Sequence, residues 1–200
     1  MNETSKKILL FLIVIVLNTI GYKAAQILRP DGFSVTTWLD SLVPYISYFV
    51  IPYALYVPVV LVPFFLYWKD YKNYRTVSIS FLLILVISII IYLMFQTTTA
   101  RASVGPTDMF NAGVLTVYAL DAPLNSLPSL HVSMTVIATL FIYIRNRKLG
   151  TYIIPITALI ILSTVFIKQH AVLDVIAGLV LALAVFKMRK LWIIAKQQRG

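Results

Sequence analysis

The sequence predicts an all-α membrane protein, a bundle of six transmembrane helices with a short extracytoplasmic helix between the third and fourth spans. Three observations predict this fold class. Of the 200 residues, 60% are hydrophobic and only 12% are charged, and the mean hydropathy of +0.89 exceeds what a soluble domain of this size can bury. Several apolar runs approach the roughly 20 residues that a helix needs to cross a bilayer. The basic residues, finally, cluster in every second segment between these runs.

The apolar runs define six spans and lack the period-2 alternation of a membrane barrel. The first lacks the small-residue cleavage site of a signal peptide, so we expect it to be retained. The second carries four prolines and is expected to be a kinked helix. Because little chain remains outside the spans, residues 1–200 are expected to form a single membrane domain. The spans run from about Ile8 to Leu28, Tyr45 to Trp68, Val77 to Phe95, Ser129 to Ile144, Thr151 to Ile167 and Ala171 to Phe186.

The basic residues predict the orientation of the spans. Of the 17 Lys and Arg, 13 lie in segments that share one side of a six-span protein, and only Lys23, Arg29, Arg101 and Lys168 lie on the other. Basic residues are retained in the cytoplasm, so we expect both termini there, in a cell inner (plasma) membrane. Topology and contact with anionic lipids explain the net charge of +10, and nucleic-acid binding is not needed to explain it.

Two of the segments that join spans on the predicted outer side are long. Arg29 to Pro44 is the shorter, and its part from Ser34 to Val43 has a composition suited to the membrane interface. Gln96 to Pro128 is the longer and is rich in turn residues. Its middle, Asp108 to Leu120, is expected to form the short extracytoplasmic helix.

The chain has two histidines, and both fall where a predicted span meets the outer surface. His131 opens the fourth span and His170 opens the sixth. A single histidine at a membrane interface more often packs or reaches toward water than catalyses. Two histidines at the same membrane face favour a catalytic role more strongly than one does. The absence of cysteine excludes disulfides, thiolate metal sites and cysteine nucleophiles.

Asp174 is the only acid inside a predicted span, where a carboxylate is costly without a partner. It lies four residues after His170, a spacing that places both on one helix face. The carboxylate can accept from one ring nitrogen and direct the other at a substrate, the role of the acid in a nucleophile or general-base pair. The alternative is a pair that only fastens two helices together.

Cations and a helix start complete the candidate site. Arg101 and Lys168 lie on the sparsely basic outer side, and a phosphoryl group needs positive donors for its oxygens. The fourth span begins near Pro128, so its free N–H groups, with Ser129 in the first turn, are suited to an anion. The alternatives are a lipid-headgroup anchor for Arg101 and a helix-end residue reaching toward water for Lys168.

These residues resemble the type 2 phosphatidic acid phosphatase superfamily across all six spans. Pro128-Ser129-Leu130-His131 is similar to the family's Pro-Ser-Gly-His element, with leucine for glycine. Ser163-Thr164 followed by His170 and Asp174 resembles its Ser-Arg-x5-His-x3-Asp element. The leucine, together with the upstream sequence Asp121-Ala122-Pro123-Leu124-Asn125, resembles the branch of inositol phosphorylceramide synthases and their bacterial relatives.

Two departures from the family pattern weaken its phosphate-binding part. Thr164 stands where the family has a phosphate-binding arginine, and Lys168 is the candidate substitute. The family's Lys-x6-Arg-Pro element is not intact. Arg101 has the right location but no proline after it, and the similar run from Lys23 to Arg29-Pro30 follows the wrong span.

The resemblance implies a role for each candidate. His170 would be the nucleophile that forms a phosphohistidine, Asp174 would orient it, and His131 would protonate the leaving group. The phosphate would be held by Arg101, Ser129 and Lys168. The family chemistry uses no metal and no other cofactor. In agreement, two histidines and one buried acid are a small set of ligands for a metal.

The sequence therefore predicts a lipid-phosphate phosphatase that acts on a phospholipid or a polyprenyl (di)phosphate at the outer leaflet. A phosphotransferase of the same fold, passing a phosphoryl or phospho-headgroup unit to an alcohol, is the near alternative. A non-catalytic lipid transporter or scramblase, or a degenerate lipid-binding member of the family, is the alternative from another class. The lipid, the acceptor and the oligomeric state are left open.

Overall fold

The computed structural model describes residues 1–197, with side chains described for residues 1–189. A π-helical turn, Leu17–Gly21, joins the first two helices, and a 3₁₀ turn, Ser47–Phe49, precedes the fourth. The chain is mostly helical, and its helices are α1 (Glu3–Val16), α2 (Tyr22–Leu28), α3 (Trp38–Leu42), α4 (Val50–Ala54), α5 (Tyr56–Leu66), α6 (Tyr71–Met94), α7 (Met109–Leu120), α8 (Leu130–Arg145), α9 (Arg147–Phe166) and α10 (Val172–Gln197).

Four helical stretches in the described part of the chain are long and apolar enough to cross a membrane: Glu3–Leu28, Ser47–Leu66, Tyr71–Met94 and Arg147–Phe166. They correspond to the predicted first, second, third and fifth spans. Helix α8 is apolar but has 16 residues, and α10 has 26 residues, including some whose side chains are not described. The architecture is thus that of a helical membrane protein, and the count of six spans remains a prediction.

Short polar side chains cap the N-termini of several of the longer helices, among them α6, α7, α8 and α9. Each places an oxygen against a free N–H of the first turn, which would otherwise lack a partner inside the helix. The capping residues of α6, α7, α8 and α9 are Asp70, Asp108, Ser129 and Asn146. Helix α7 lies where the sequence predicted a helix, and its position outside the membrane remains a prediction.

The two helical stretches nearest the N-terminus are each interrupted. The predicted first span contains the π turn, at which Thr19 Oγ1 donates 2.8 Å to the carbonyl of Ile15. In the predicted second span α4 ends at Ala54, because Pro58 has no N–H to donate to the carbonyl of Ala54. The sequence predicted a proline kink in this span, whereas it did not predict the π turn.

One small sheet, absent from the sequence prediction, joins the two long segments that the sequence placed on the outer side. Strands β1 (Phe33–Ser34) and β2 (Thr97–Thr98) pair in parallel, and Thr98 also forms an antiparallel bridge to Leu124. The segments after α2, after α6 and after α7 therefore meet at one end of the bundle. Helix α8 lies centrally and packs against α5, α6, α9 and α10. The first turns of α8 and α10 lie at that same end.

Candidate active site

The two histidines lie in direct contact. His131 is in the first turn of α8, and His170 immediately precedes α10. The distance between His131 Nδ1 and His170 Nε2 is 3.2 Å, although the residues are 39 positions apart in the sequence. His170 is 5% exposed. The packing of α8 against α10 thus produces a paired imidazole site.

Asp174 holds the second ring nitrogen of His170. Its Oδ2 lies 3.4 Å from His170 Nδ1 and accepts a hydrogen bond of 2.8 Å from the Ala171 N–H. His170 lies in the turn before α10 rather than on the helix face that the sequence predicted, so Asp174 reaches back to it from the first helical turn. Asp174 is fully buried, and its carboxylate fixes the orientation of the imidazole.

Backbone contacts fix the two helix starts relative to each other. The Ser129 N–H donates 3.1 Å to the carbonyl of Asp174. At Gly178, one turn further along α10, a Cβ atom would lie 2.7 Å from the carbonyl oxygen of Ser129 and 3.0 Å from the Cβ of Val132. The absence of a side chain at Gly178 therefore permits the close approach that brings His131 to His170.

Thr99 supports Asp174 from the segment after β2, and sequence reasoning missed it. Its hydroxyl lies 3.0 Å from Asp174 Oδ2 and 3.0 Å from Ser126 Oγ. A carboxylate only accepts, so Thr99 donates to Asp174 and accepts from Ser126. No local sequence pattern marks Thr99, because the contact joins residues 75 positions apart.

Two tyrosines of the predicted second span enclose His131 and were also missed. The Tyr53 hydroxyl lies 2.8 Å from His131 Nε2. The rings of Tyr53 and Tyr56 lie with their centroids 4.8 and 4.6 Å from that of His131. Their spacing of three residues places both on one helical face, which is the only signal the sequence carries.

Arg101 lies beside the site with its guanidinium engaged by other groups. It donates to the carbonyls of Tyr118, at 2.9 Å, and Asp121, and to Gln169 Oε1 at 3.1 Å. It also stacks 4.4 Å from the centroid of the Tyr118 ring. Burial lowers the pKa of Arg101, an effect that the Asp121 carboxylate opposes. Arg101 thus serves the last carbonyls of α7 and reaches the histidines only through Gln169, the neighbour of His170.

The structure separates Lys168 from the histidine pair. Its ammonium donates 2.9 Å to the carbonyl of Asp40 and also to that of Val43, and its backbone adopts a positive φ of 54°. The charge of Lys168 is therefore directed at the segment before α4 in this structure, and its substitution for the family arginine stays a prediction. Asp40 in turn accepts 2.8 Å from the Val172 N–H and so caps α10.

Thr164 and Ser129 both accept hydrogen bonds from backbone N–H groups at a helix end. The Thr164 carbonyl accepts the N–H groups of Gln169 and His170, at 2.9 and 3.0 Å, so it ends α9 and places His170. Ser129 is fully buried, and its Oγ accepts 3.3 Å from the Val132 N–H. Ser129 thus caps α8 in this structure, and the phosphate contact expected of it stays a prediction.

A cavity of about 100 Å³ opens beside the histidine pair. It contains one carboxylate and no lysine or arginine among its lining residues, which are Asn18, Tyr22, Tyr56, Asp121, Asn125, Leu130, His131 and His170. The Asp121 carboxylate accepts from Tyr22, Gln26 and Gln169 at 3.0 to 3.1 Å. The wall next to the histidines is consequently polar but not cationic.

A second cavity, of about 110 Å³, lies between α1 and α5 and is lined mainly by apolar side chains, among them Phe11, Val60 and Met134. Asn18 and Tyr56 line both cavities. A polar chamber at the histidines thus adjoins an apolar groove within the helices. Among the described residues no three His, Cys, Asp or Glu side chains are grouped to hold a metal ion.

Comparison with known proteins gives one match. The profile of the PAP2 superfamily matches residues 30–188, a stretch that includes both histidines, Asp174, Arg101, Ser129 and Lys168 but not α1 or α2. No curated protein and no solved structure matches the chain.

Proposed function

The chain belongs to the PAP2 superfamily, and from this premise we propose that it is an integral membrane lipid-phosphate phosphatase that works through a phosphohistidine at His170. Members of this superfamily act as phosphatases and phosphotransferases on lipid phosphates. The substrate proposed is a phospholipid or a polyprenyl (di)phosphate.

The observation that carries the proposal is the continuous contact from His131 through His170 to Asp174. Asp174 holds Nδ1 of His170, so Nε2 is the nitrogen free to attack phosphorus. Nδ1 of His131 lies 3.2 Å from that nitrogen, within reach of a leaving oxygen bonded to the same phosphorus. Water then attacks the phosphohistidine, His131 takes its proton, and inorganic phosphate leaves.

The groove between α1 and α5 supports a lipid substrate. Its apolar lining fits a hydrocarbon chain, and its shared residues Asn18 and Tyr56 adjoin the chamber where the phosphate would react. The excess of basic residues on one predicted side favours cytoplasmic termini and a site facing the outer leaflet of the inner (plasma) membrane.

Release of inorganic phosphate tests the proposal. Purified protein in detergent is given phosphatidic acid, phosphatidylglycerol phosphate and undecaprenyl diphosphate, with His170→Ala as the inactive control. We expect release from at least one lipid and background release by the variant. Full activity of His170→Ala would exclude the phosphohistidine mechanism, and lipid movement across vesicles without phosphate release would indicate a transporter or scramblase instead.

Phosphotransfer to an alcohol is the second candidate, and the charges at the site favour it. In the part of the chain that the structure describes, the residues lining the chamber include no lysine or arginine. Arg101 and Lys168 donate to carbonyls, and threonine occupies position 164. A phosphodiester carries less charge than a phosphomonoester and so needs fewer cations. A product that contains the phosphate and an added alcohol, formed in place of free phosphate, would identify this activity.

A further inference from the structure

We propose that Tyr53 is the proton donor behind His131, so that Tyr53, His131, His170 and Asp174 form one directed chain of hydrogen bonds that delivers a proton to the leaving group. The inference rests on the proposed function of the histidine pair and adds to it a residue from α4. Tyr53 is partly exposed, and its hydroxyl lies 2.8 Å from His131 Nε2.

The direction of each hydrogen bond follows from the one before it. An ionised carboxylate only accepts, so His170 donates from Nδ1 to Asp174. A neutral imidazole has one donor and one acceptor nitrogen, so Nε2 of His170 accepts and Nδ1 of His131 donates. Nε2 of His131 then accepts, and the Tyr53 hydroxyl donates to it.

This arrangement gives the resting His131 its proton on the nitrogen that faces the nucleophile. A neutral imidazole that gives up its only N–H proton becomes an imidazolate. This anion is a strong base, so its formation is unfavourable. Because the Tyr53 hydroxyl lies 2.8 Å from Nε2, transfer of its proton to that nitrogen keeps the His131 ring neutral throughout. Tyr53 therefore supplies the proton that allows neutral His131 to act as an acid without becoming an imidazolate.

The step balances as follows. The bond from His170 Nε2 to phosphorus forms, and the bond from phosphorus to the leaving oxygen breaks. That oxygen takes the proton from His131 Nδ1, and the Tyr53 hydroxyl proton moves to His131 Nε2. In the second half-reaction the oxygen of the attacking water or alcohol forms a bond to phosphorus, and the bond from phosphorus to His170 Nε2 breaks. The attacking oxygen gives its proton to Nδ1 of His131, and the Nε2 proton of His131 returns to Tyr53.

The contact between the histidines is consistent with this geometry. Their nitrogens are 3.2 Å apart, the distance of a hydrogen bond. A phosphate ester that enters the site must separate the two imidazoles. Its leaving oxygen can then accept the hydrogen bond that His131 Nδ1 donated to His170 Nε2. The rings of Tyr53 and Tyr56 pack on His131 and limit its displacement.

The first test compares leaving groups in Tyr53→Phe, which removes only the hydroxyl. An alkyl oxygen needs a proton to leave, whereas a nitrophenolate does not. General-acid catalysis contributes about 10²- to 10⁴-fold. We expect a loss of that order in kcat on an alkyl phosphate and less than about tenfold on a nitrophenyl phosphate. The control is Tyr152→Phe, since Tyr152 is 63% exposed and lies in α9.

Equal losses on both substrates would overturn the proton-donor role and leave Tyr53 as a packing residue. Tyr56→Phe separates the two effects, because Tyr56 stacks on His131 without a hydrogen bond to it. This variant should keep the wild-type dependence on the leaving group whatever its effect on KM. If the wild type itself released no phosphate from any substrate, the proposed function would fail, and with it the role of Tyr53.

The second test reads the proton positions directly. The chain has only two histidines, so ¹⁵N-histidine labelling gives four ring-nitrogen NMR signals, which His131→Asn assigns. We expect His131 protonated at Nδ1 in the wild type, with its Nε2 signal shifted in Tyr53→Phe as the hydrogen bond is lost. Protonation of His131 at Nε2 in the wild type, or no shift in the variant, would contradict the proposal.

Discussion

At the scale of single residues, the two oxygens of Asp174 have different environments. Oδ2 accepts from the Ala171 N–H and from Thr99 and lies 3.4 Å from His170 Nδ1. Oδ1 is buried without a hydrogen-bond partner among the described residues. A buried oxygen without a partner is costly, and such groups often mark functional sites. Of the two carboxylate oxygens, Oδ2 is thus the one that contacts the His170 imidazole.

Replacing Asp174 by Asn tests this effect. The amide has nearly the same shape, but its NH₂ group donates. When this group takes the place of Oδ2 beside His170 Nδ1, it cannot accept the Nδ1 proton and favours the other tautomer of the imidazole. We expect kcat for phosphate release to fall by roughly 10⁴-fold, the size seen when a triad acid becomes an amide. The melting temperature in detergent should change little by comparison. Retention of more than a tenth of the activity would show that Asp174 is only a structural partner.

Thr99→Val tests the support behind Asp174. The change keeps the shape but removes the donor to Oδ2 and leaves Ser126 Oγ without this acceptor. A buried group without its partner costs about 1 to 3 kcal/mol, so unfolding in detergent should occur at lower denaturant concentration and kcat should fall. Thr76→Val is the matched control, because the Thr76 hydroxyl is exposed and bonds only within its own helix. Equal effects of the two substitutions would contradict the role of Thr99.

At the scale of secondary-structure elements, the distance between the two histidines depends on how closely α8 approaches α10, and so would the proposed catalysis. The approach is set by Gly178 against the carbonyl of Ser129 and by the hydrogen bond from the Ser129 N–H to the Asp174 carbonyl. Each helix carries one histidine at its start, so a shift between the helices changes the distance between the imidazoles. A displacement of about 1 Å at an active site can cost about 10²-fold in rate.

We therefore expect Gly178→Ala to reduce both stability and activity. Its Cβ would lie 2.7 Å from a backbone oxygen, and overpacking of this kind costs about 1 to 3 kcal/mol. Gly150→Ala creates a clash of 2.5 Å with Tyr143 away from the histidines, so it should lower stability but leave kcat per folded molecule unchanged. Gly105→Ala meets only a contact of 3.9 Å and should alter neither. Thermal melts and phosphate release on the same samples separate these results.

At the scale of the whole molecule, charge asymmetry predicts how the protein lies in the membrane. The proposed orientation places the segment before α7 outside the cell and the segment between α5 and α6 in the cytoplasm. The natural sequence has no cysteine, so a single introduced thiol reports the side on which it lies. The end of the bundle at which His131 and His170 lie would then face the outer leaflet.

Accessibility of introduced thiols to a membrane-impermeant maleimide tests the orientation. Ser103→Cys and Lys72→Cys both lie at exposed positions. In intact cells we expect labelling at position 103 alone, and labelling at position 72 only after the membrane is opened. The reverse pattern would place the active site in the cytoplasm and refute the orientation.

The predicted absence of a metal requirement is a property of the whole reaction and has its own test. We expect phosphate release to continue at full rate after prolonged EDTA treatment, because the proposed chemistry uses two imidazoles and a carboxylate. A strict requirement for a divalent ion, restored by adding Mg²⁺ or Zn²⁺, would refute the phosphohistidine mechanism as proposed.

Some features of this protein follow from the sequence alone, since they depend on local order. Apolar runs of sufficient length predict membrane helices, and the match to the PAP2 superfamily agrees with the two motifs around His131 and His170. Asp108 and Ser129 begin helices where they were expected, because capping depends on the neighbouring three residues. The spacing of His170 and Asp174 also anticipated their contact.

Only the tertiary structure decided which distant groups meet. Tyr53 bonds to His131 across 78 positions, and Asp40 caps α10 across 132. Lys168 lies two residues before His170 in the sequence, but only the structure shows that its ammonium donates to the carbonyls of Asp40 and Val43. A long flexible cation binds whatever unsatisfied acceptor the fold brings within reach, and that depends on helix packing rather than on neighbouring residues.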